Sequence, residues 1–141
     1  MTQHNREHVG TILVYREGFP DPDGVFVSTF GRQIGLGLTG DVEIWLNIRE
    51  CQHILAALQA AVHRVKERKQ YEAFSDFFLQ QTDDDGIEVP SIVLVSDHRG
   101  EIGLYAAIKD DGGGQVWMGL DHCQQVIDAL RVAIERAERE E

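Results

Sequence analysis

The sequence has few cysteines and no long apolar segment, and each shortage excludes a class of protein. Two cysteines in 141 residues are too few for a disulfide-stapled secreted domain, so a reducing cytoplasm is the expected compartment. No apolar run approaches the roughly 20 residues that a membrane-spanning helix needs. The polar first eight residues also lack the apolar segment of a signal peptide. The sequence therefore predicts a cytoplasmic protein with no membrane partner.

Basic residues are also scarce: 13 Lys and Arg stand against 24 Asp and Glu, for a net charge of −11. Such a chain on average repels nucleic acid and anionic membranes. The deficit is uneven, because residues 1–72 carry 8 basic and 9 acidic side chains whereas residues 73–141 carry 5 and 15. The argument against nucleic acid therefore applies firmly only to the second half. A hydrophobic content of 43% is ordinary for a globular protein and too high for a disordered acidic chain.

The chain contains an internal duplication. Residues 9–38 match residues 77–106 at eight of 30 positions, and residues 40–69 match residues 112–141 at eight of 30. Average composition gives roughly one match in fifteen to twenty positions. The offset changes from 68 to 72 through a four-residue lengthening near 109–114, where a loop tolerates insertion. The identical pairs include residues that are rare in this chain, namely Trp45 with Trp117 and Cys51 with Cys123.

Each repeat is predicted to form four short antiparallel strands followed by one helix. Short β-branched and aromatic runs separated by tight turns are typical of consecutive hairpins. Apolar residues then recur at three- and four-residue steps, as in an amphipathic helix, and Asn47 with Glu50 form a predicted capping pair. The predicted fold class is α+β: two tandem ββββα repeats, each meander sheet backed by one helix, packed about a pseudo-twofold axis. The predicted segments are a tail at 1–8, repeat 1 at 9–70, a linker at 71–76 and repeat 2 at 77–141. In repeat 1 the predicted strands are 11–15, 25–30, 34–38 and 42–46, and the helix is 49–69. In repeat 2 the predicted strands are 77–81, 90–96, 102–108 and 115–120, and the helix runs from 121 onward.

Strand alternation places both tryptophans on the sheet face that the repeat's own helix does not cover. Glu43 and Trp45 alternate with apolar residues in the fourth strand and point outward, beside Gly35 of the neighbouring strand. The second repeat places Trp117 and Gly103 in the same way. Two explanations stay open at this point. Either the other repeat or a second copy of the protein covers these faces, or they form an aromatic platform for a ligand or partner.

Several motifs resemble those of enzymes or metal proteins, but none has the required context. Residues 35–40 match G-x-G-x-x-G, yet a strand rather than a helix follows, so no cofactor is expected. The Asp-rich segments 21–24 and 83–86 lack the glutamate of a calcium loop and are interpreted as turns. Cys51 and Cys123 lie on apolar helix stripes and are expected in the core. No catalytic residue and no metal site are predicted, and the protein is not expected to be an enzyme.

The order of elements resembles that of the PUR-repeat proteins and of the related coactivators that bind single-stranded nucleic acid. The resemblance covers residues 9–140, and the Trp-containing strand that leads into a helix, at 42–58 and 116–130, is similar to the last strand and helix of those families. It implies curved meander sheets whose exposed faces stack bases on aromatic side chains and neutralise phosphates with basic ones. The basic residues near the predicted strands are Arg16, Arg32 and Arg99.

Two functions from different classes follow from these patterns. The first is a non-enzymatic binding or regulatory protein that engages a protein partner through the Trp-bearing sheet face or an acidic surface, or that self-associates as a homodimer. The alternative is a single-stranded DNA- or RNA-binding protein of PUR-like architecture. The predicted binding residues of the outer sheet face are Trp45, Trp117, Phe26, Tyr105, Gly35, Gly103, Arg32 and Arg99.

Overall fold

The computed structural model describes residues 5–67 and 74–140, and it has the predicted α+β architecture. Each repeat is a four-stranded antiparallel sheet, with its strands side by side in sequence order, followed by one helix. Repeat 1 consists of β1 (Glu7–Val14), β2 (Asp23–Phe30), β3 (Gln33–Leu38), β4 (Val42–Leu46) and α1 (Ile48–Lys66). Repeat 2 consists of β5 (Phe74–Thr82), β6 (Glu88–His98), β7 (Glu101–Ile108), β8 (Gly112–Met118) and α2 (Leu120–Arg139).

The first strand of each repeat begins earlier than predicted, and so does β8, which begins at Gly112 rather than at 115. β1 begins at Glu7, four residues before the predicted strand and inside the predicted tail, and β5 begins at Phe74 rather than at 77. Both are edge strands, and β1 contains a bulge between His8 and Gly10. A bulge breaks the two-residue alternation on which the prediction depends. The predicted end of the first helix, at 68–69, lies outside the described residues.

The start of α1 confirms the predicted capping pair. The backbone N–H of Glu50 donates to the Asn47 side chain at 2.7 Å, and the Asn47 N–H donates to the Glu50 carboxylate at 2.9 Å. This reciprocal pair satisfies two of the donors that a helix N-terminus otherwise leaves open. Gly119 stands at the corresponding place before α2 and contributes no side-chain bond.

Each helix packs mainly on the sheet of the other repeat, so the expectation that a helix covers its own sheet is wrong. Arg64 of α1 donates to the carboxylate of Asp97 in β6 at 2.8 Å. Arg136 of α2 donates to the backbone carbonyl of His8 in β1 at 3.3 Å. The helical pattern identifies which side of a helix is apolar, but two sheets with the same apolar pattern are equally suitable partners for it. Because of this exchange of helices between the two sheets, the two repeats form one folding unit.

The inner faces of both sheets and the apolar sides of both helices form a single core. Cys51 and Cys123 are fully buried in it, as predicted, and burial raises the pKa of both thiols to about 12. Both cysteines therefore behave as small apolar side chains. Within the described part of the chain, neither helix combines the length and the hydropathy that crossing a bilayer requires.

Candidate binding site around Trp45

Both tryptophans lie on the outer sheet faces, as predicted, and each covers a glycine of the adjacent strand. Trp45 of β4 pairs with Gly35 of β3, and Trp117 of β8 pairs with Gly103 of β7. A Cβ atom on Gly35 would lie 2.9 Å from the Trp45 ring, and one on Gly103 would lie 2.8 Å from the Trp117 ring. Glycine is required at both positions because any side chain would displace the indole. Each ring is therefore partly buried against its own sheet.

The surroundings of the two rings on their own sheets are also equivalent. The ring of Phe30 meets the Trp45 indole edge-on at 6.5 Å, and that of His98 meets the Trp117 indole edge-on at 6.3 Å. Phe30 and His98 occupy the same position in the duplicated sequence. The duplication thus preserves the packing of the outer faces as well as the core.

Residues near the end of each repeat's first strand hold the Trp-bearing strand of the other repeat. The Gln81 side chain accepts a hydrogen bond from the Trp45 N–H at 2.7 Å and donates one to the Trp45 carbonyl at 2.9 Å. Arg16 donates to the Trp117 carbonyl at 2.9 Å. Gln81 therefore replaces the neighbouring strand that β4 lacks, and it satisfies backbone groups that an open sheet edge would expose.

Trp45 lines a cleft of about 500 Å³ between the two repeats. β4 contributes one wall, and the β5–β6 and β7–β8 turns of repeat 2 contribute the others. Five carboxylates and one ammonium group line the cleft together with the indole, which makes the cleft acidic. The charged residues that line it are Glu43, Asp83, Asp84, Asp110, Asp111 and Lys109.

Turn geometry explains how repeat 2 delivers these carboxylates. The Asp83 side chain accepts hydrogen bonds from the backbone N–H groups of Asp85 and Ile87, each at 2.9 Å, so the Asp-rich segment is a turn, as predicted. The four-residue lengthening near 109–114 supplies the other acidic turn. A Cβ on Gly114 would overlap the Thr39 carbonyl oxygen. The glycines that follow the acidic pair thus let repeat 2 approach the β3–β4 turn of repeat 1.

An arginine from the N-terminal segment lies on the Trp45 ring. The Cζ atom of Arg6 is 5.8 Å from the indole centroid, and its guanidinium contacts the Glu43 carboxylate. This distance is within the range of cation–π attraction. Sequence reasoning missed Arg6 because it assigned residues 1–8 to a tail. The signal that could have found it is the strand register, since the row of His8 continues across the sheet to Trp45.

The environment of Trp117 is different. Arg16, which bonds its carbonyl, also pairs with Glu101 at 2.9 Å and approaches Asp23 at 3.9 Å. The basic group near this tryptophan is thus held by carboxylates from both repeats. The matching position beside Trp45 holds the neutral Gln81 instead, and the carboxylates that line the cleft outnumber its ammonium group.

The other predicted binding residues divide between the two sheets. Phe26, 39% exposed, lines a second cleft of about 400 Å³ on sheet 1 together with Arg6. Tyr105 lies opposite Gln115, two pairs along the strand from Trp117. Arg32 donates to the Glu140 carbonyl at 2.9 Å and so lies at the end of α2. Arg99 is exposed in the β6–β7 turn with a φ of 50°.

Comparison with known proteins adds no relative to these observations. The chain matches no family model and no curated protein sequence. Among the residues that the structure describes, no three or more His, Cys, Asp or Glu side chains are grouped so as to hold a metal ion. What the site offers chemically is an aromatic surface surrounded by negative charge.

Proposed function

We propose that the protein is a non-enzymatic binding module whose Trp45 cleft receives a basic segment of a protein partner. The observation that carries the proposal is the juxtaposition of a partly exposed indole with five carboxylates and one ammonium group in a cleft of about 500 Å³. An indole face attracts cations, and surrounding carboxylates strengthen that attraction and select against anions.

The architecture supports a binding role for this cleft rather than a packing role. The core is complete without the outer sheet faces, since both helices and both inner faces share one apolar cluster. Carboxylates placed close together repel one another, and this arrangement costs stability that a basic ligand recovers. The indole and the carboxylates that line the cleft are partly exposed to solvent, so we expect weak binding whose affinity decreases as salt rises.

Fluorescence anisotropy with a labelled hexa-arginine peptide tests the proposal. The double variant Asp110→Asn, Asp111→Asn should bind about three- to tenfold more weakly, because each exposed charge pair contributes about 0.2–1 kcal/mol. The matched control is Asp41→Asn, in the β3–β4 turn of repeat 1, where aspartate has the same left-handed conformation as Asp110. Asparagine tolerates that conformation, and the control, which removes one charge that does not line the cleft, should weaken binding less than the double variant does. Equal binding by all three proteins, or none by the wild type, would contradict the proposal.

The alternative, binding of single-stranded nucleic acid, has one observation in its favour. Phe74 and Phe78 are 70% and 76% exposed on β5, and Phe74 lies in the same cross-strand row as Trp117. These rings are suitable for base stacking, but the net charge of this half of the chain opposes phosphate binding. A labelled oligothymidine measured at low salt separates the two functions. Oligothymidine binding tighter than hexa-arginine binding, and weakening with salt, would replace the first proposal by the second.

Exposed phenylalanines on a sheet edge also suit self-association, which the sequence raised as a homodimer. Sedimentation velocity over a range of protein concentrations tests this. A dimer that Phe78→Ser converts to monomer would support it, and a monomer at every concentration would contradict it.

A further inference from the structure

The position of Arg6 indicates which cation the Trp45 cleft accepts. Arg6 precedes β1, at the opposite edge of sheet 1 from β4, and yet its guanidinium lies against the Trp45 ring and the Glu43 carboxylate. Trp45 and Glu43 are two residues apart in one strand and so share a face. Together they offer a flat aromatic surface and a hydrogen-bond acceptor to the same group.

A guanidinium fits this pair of groups better than an ammonium does. It is planar, so it can stack on an indole while its N–H groups donate to a carboxylate in the same plane. A lysine ammonium is compact and strongly hydrated, and it cannot do both in a fixed geometry. The Trp45–Glu43 pair therefore discriminates between the two basic side chains.

The contact that Arg6 makes is suited to displacement. Its side chain is 58% exposed and that of Glu43 is 26% exposed, so water and salt compete with the pair. Arg6 also lines the neighbouring cleft of about 400 Å³, beside Phe26 and His8. Its departure would free the indole face and open that cleft toward Trp45.

We infer that Trp45 and Glu43 form a guanidinium-selective subsite, which Arg6 fills in the unbound protein and which an arginine side chain of a partner takes over by displacing Arg6. The inference rests on the proposed function, since it assumes that the Trp45 cleft is where the partner binds. It makes the N-terminal segment an internal competitor that lowers the affinity for arginine-bearing ligands.

The first experiment needs no ligand. In a Trp117→Phe background, which leaves Trp45 as the single tryptophan, acrylamide quenching measures the access to the indole. Arg6→Ala should raise the quenching constant about twofold, because the guanidinium no longer covers the ring. Arg49→Ala removes the same charge from an exposed position of α1 and should change nothing. Equal quenching in all three proteins would overturn the occupancy of the subsite by Arg6.

The second experiment measures anisotropy with labelled hexa-arginine and hexa-lysine. Arg6→Ala should tighten hexa-arginine binding about three- to fivefold, as expected for the loss of an exposed cation–π competitor. Arg49→Ala, which changes the net charge equally, should tighten it less. Hexa-lysine should bind more weakly than hexa-arginine to the wild type, and Glu43→Gln should remove most of that difference.

The outcomes separate this inference from the proposed function. If hexa-arginine binds and depends on Asp110 and Asp111, but neither Arg6→Ala nor Glu43→Gln alters the preference for arginine, the subsite is wrong and the cleft remains the binding site. If hexa-arginine does not bind the wild type, the proposed function fails, whatever the quenching shows.

Discussion

The two tryptophan sites are built alike and surrounded differently. Trp45 and Trp117 each cover a glycine, each meet a ring edge-on and each have a backbone group held by the other repeat. Beyond that, the charge differs. Arg16 lies between carboxylates beside Trp117, whereas the cleft at Trp45 gathers carboxylates around an indole on which Arg6 rests.

The difference in charge around the two tryptophans shows which parts of the repeats could diverge in sequence. Packing of an indole on a glycine tolerates no added atom, so it persists in both copies. Turns tolerate insertion and substitution, and the lengthened β7–β8 turn brings Asp110 and Asp111 to the tryptophan of the other repeat. Some of the acidic residues that give the second half of the chain its charge of −10 thus line a site whose aromatic surface belongs to the first half.

The largest difference in stability between the two repeats is expected at the equivalent helix arginines, Arg64 and Arg136. Arg64→Ala should lower the free energy of unfolding by about 2–4 kcal/mol, because it leaves the 8%-exposed Asp97 carboxylate without its partner. Arg136→Ala removes an exposed bond to a backbone carbonyl and should cost less than about 1 kcal/mol. Urea-induced unfolding measures both changes.

A double-mutant cycle extends this test to the exchange of helices. Arg64→Met combined with Asp97→Leu should be more stable than either single variant, because no buried charge is then unpaired. Additive effects of the two substitutions would contradict the packing of α1 on the sheet of repeat 2.

A smaller effect is expected at the glycines beneath the tryptophans. Gly35→Ala and Gly103→Ala should each cost about 1–3 kcal/mol, because the new methyl group overlaps an indole. Gly37→Ala is the matched control, on the same strand and face as Gly35, where a Cβ meets nothing closer than 3.5 Å. A loss at only one of the first two sites would show that the two tryptophan sites are not equivalent.

The smallest difference between the repeats is expected at the cysteines. With a pKa of about 12 for both thiols, roughly one thiol in ten thousand is ionised at pH 8. A thiol-specific chromogenic reagent should therefore react with neither cysteine in the folded protein and with both in urea. Ready reaction of one cysteine under native conditions would show that the two cysteine sites are not equivalent.

The same pKa values predict how the two thiols contribute to the pH dependence of stability. Above the ordinary thiol pKa of 9.0, the unfolded chain loses these protons while the folded protein keeps them. The thiol contribution to the free energy of unfolding should therefore decrease as the pH rises from about 9 to 12.

The fold was largely predictable because the duplication repeats the information. Period-two runs and a helical stripe that occur twice identify the strands, the helices and the outward direction of Trp45 and Trp117. Three features were not predictable. The bulge at His8 hides the start of β1, and the shared apolar pattern of the two sheets hides the exchange of helices. The acidic cleft depends on turns distant from Trp45 in sequence. Arg32 illustrates the same limit, since its hydrogen bond joins it to Glu140, a residue far away in the sequence.

The central claim is that the Trp45 site binds a basic segment and the Trp117 site does not. A ¹⁵N–¹H correlation spectrum of the folded protein resolves one indole N–H signal for each tryptophan, and Trp45→Phe assigns them. On titration with hexa-arginine, the Trp45 signal should shift progressively to saturation while the Trp117 signal stays in place. Equal shifts of both signals, or a shift of Trp117 alone, would contradict the account.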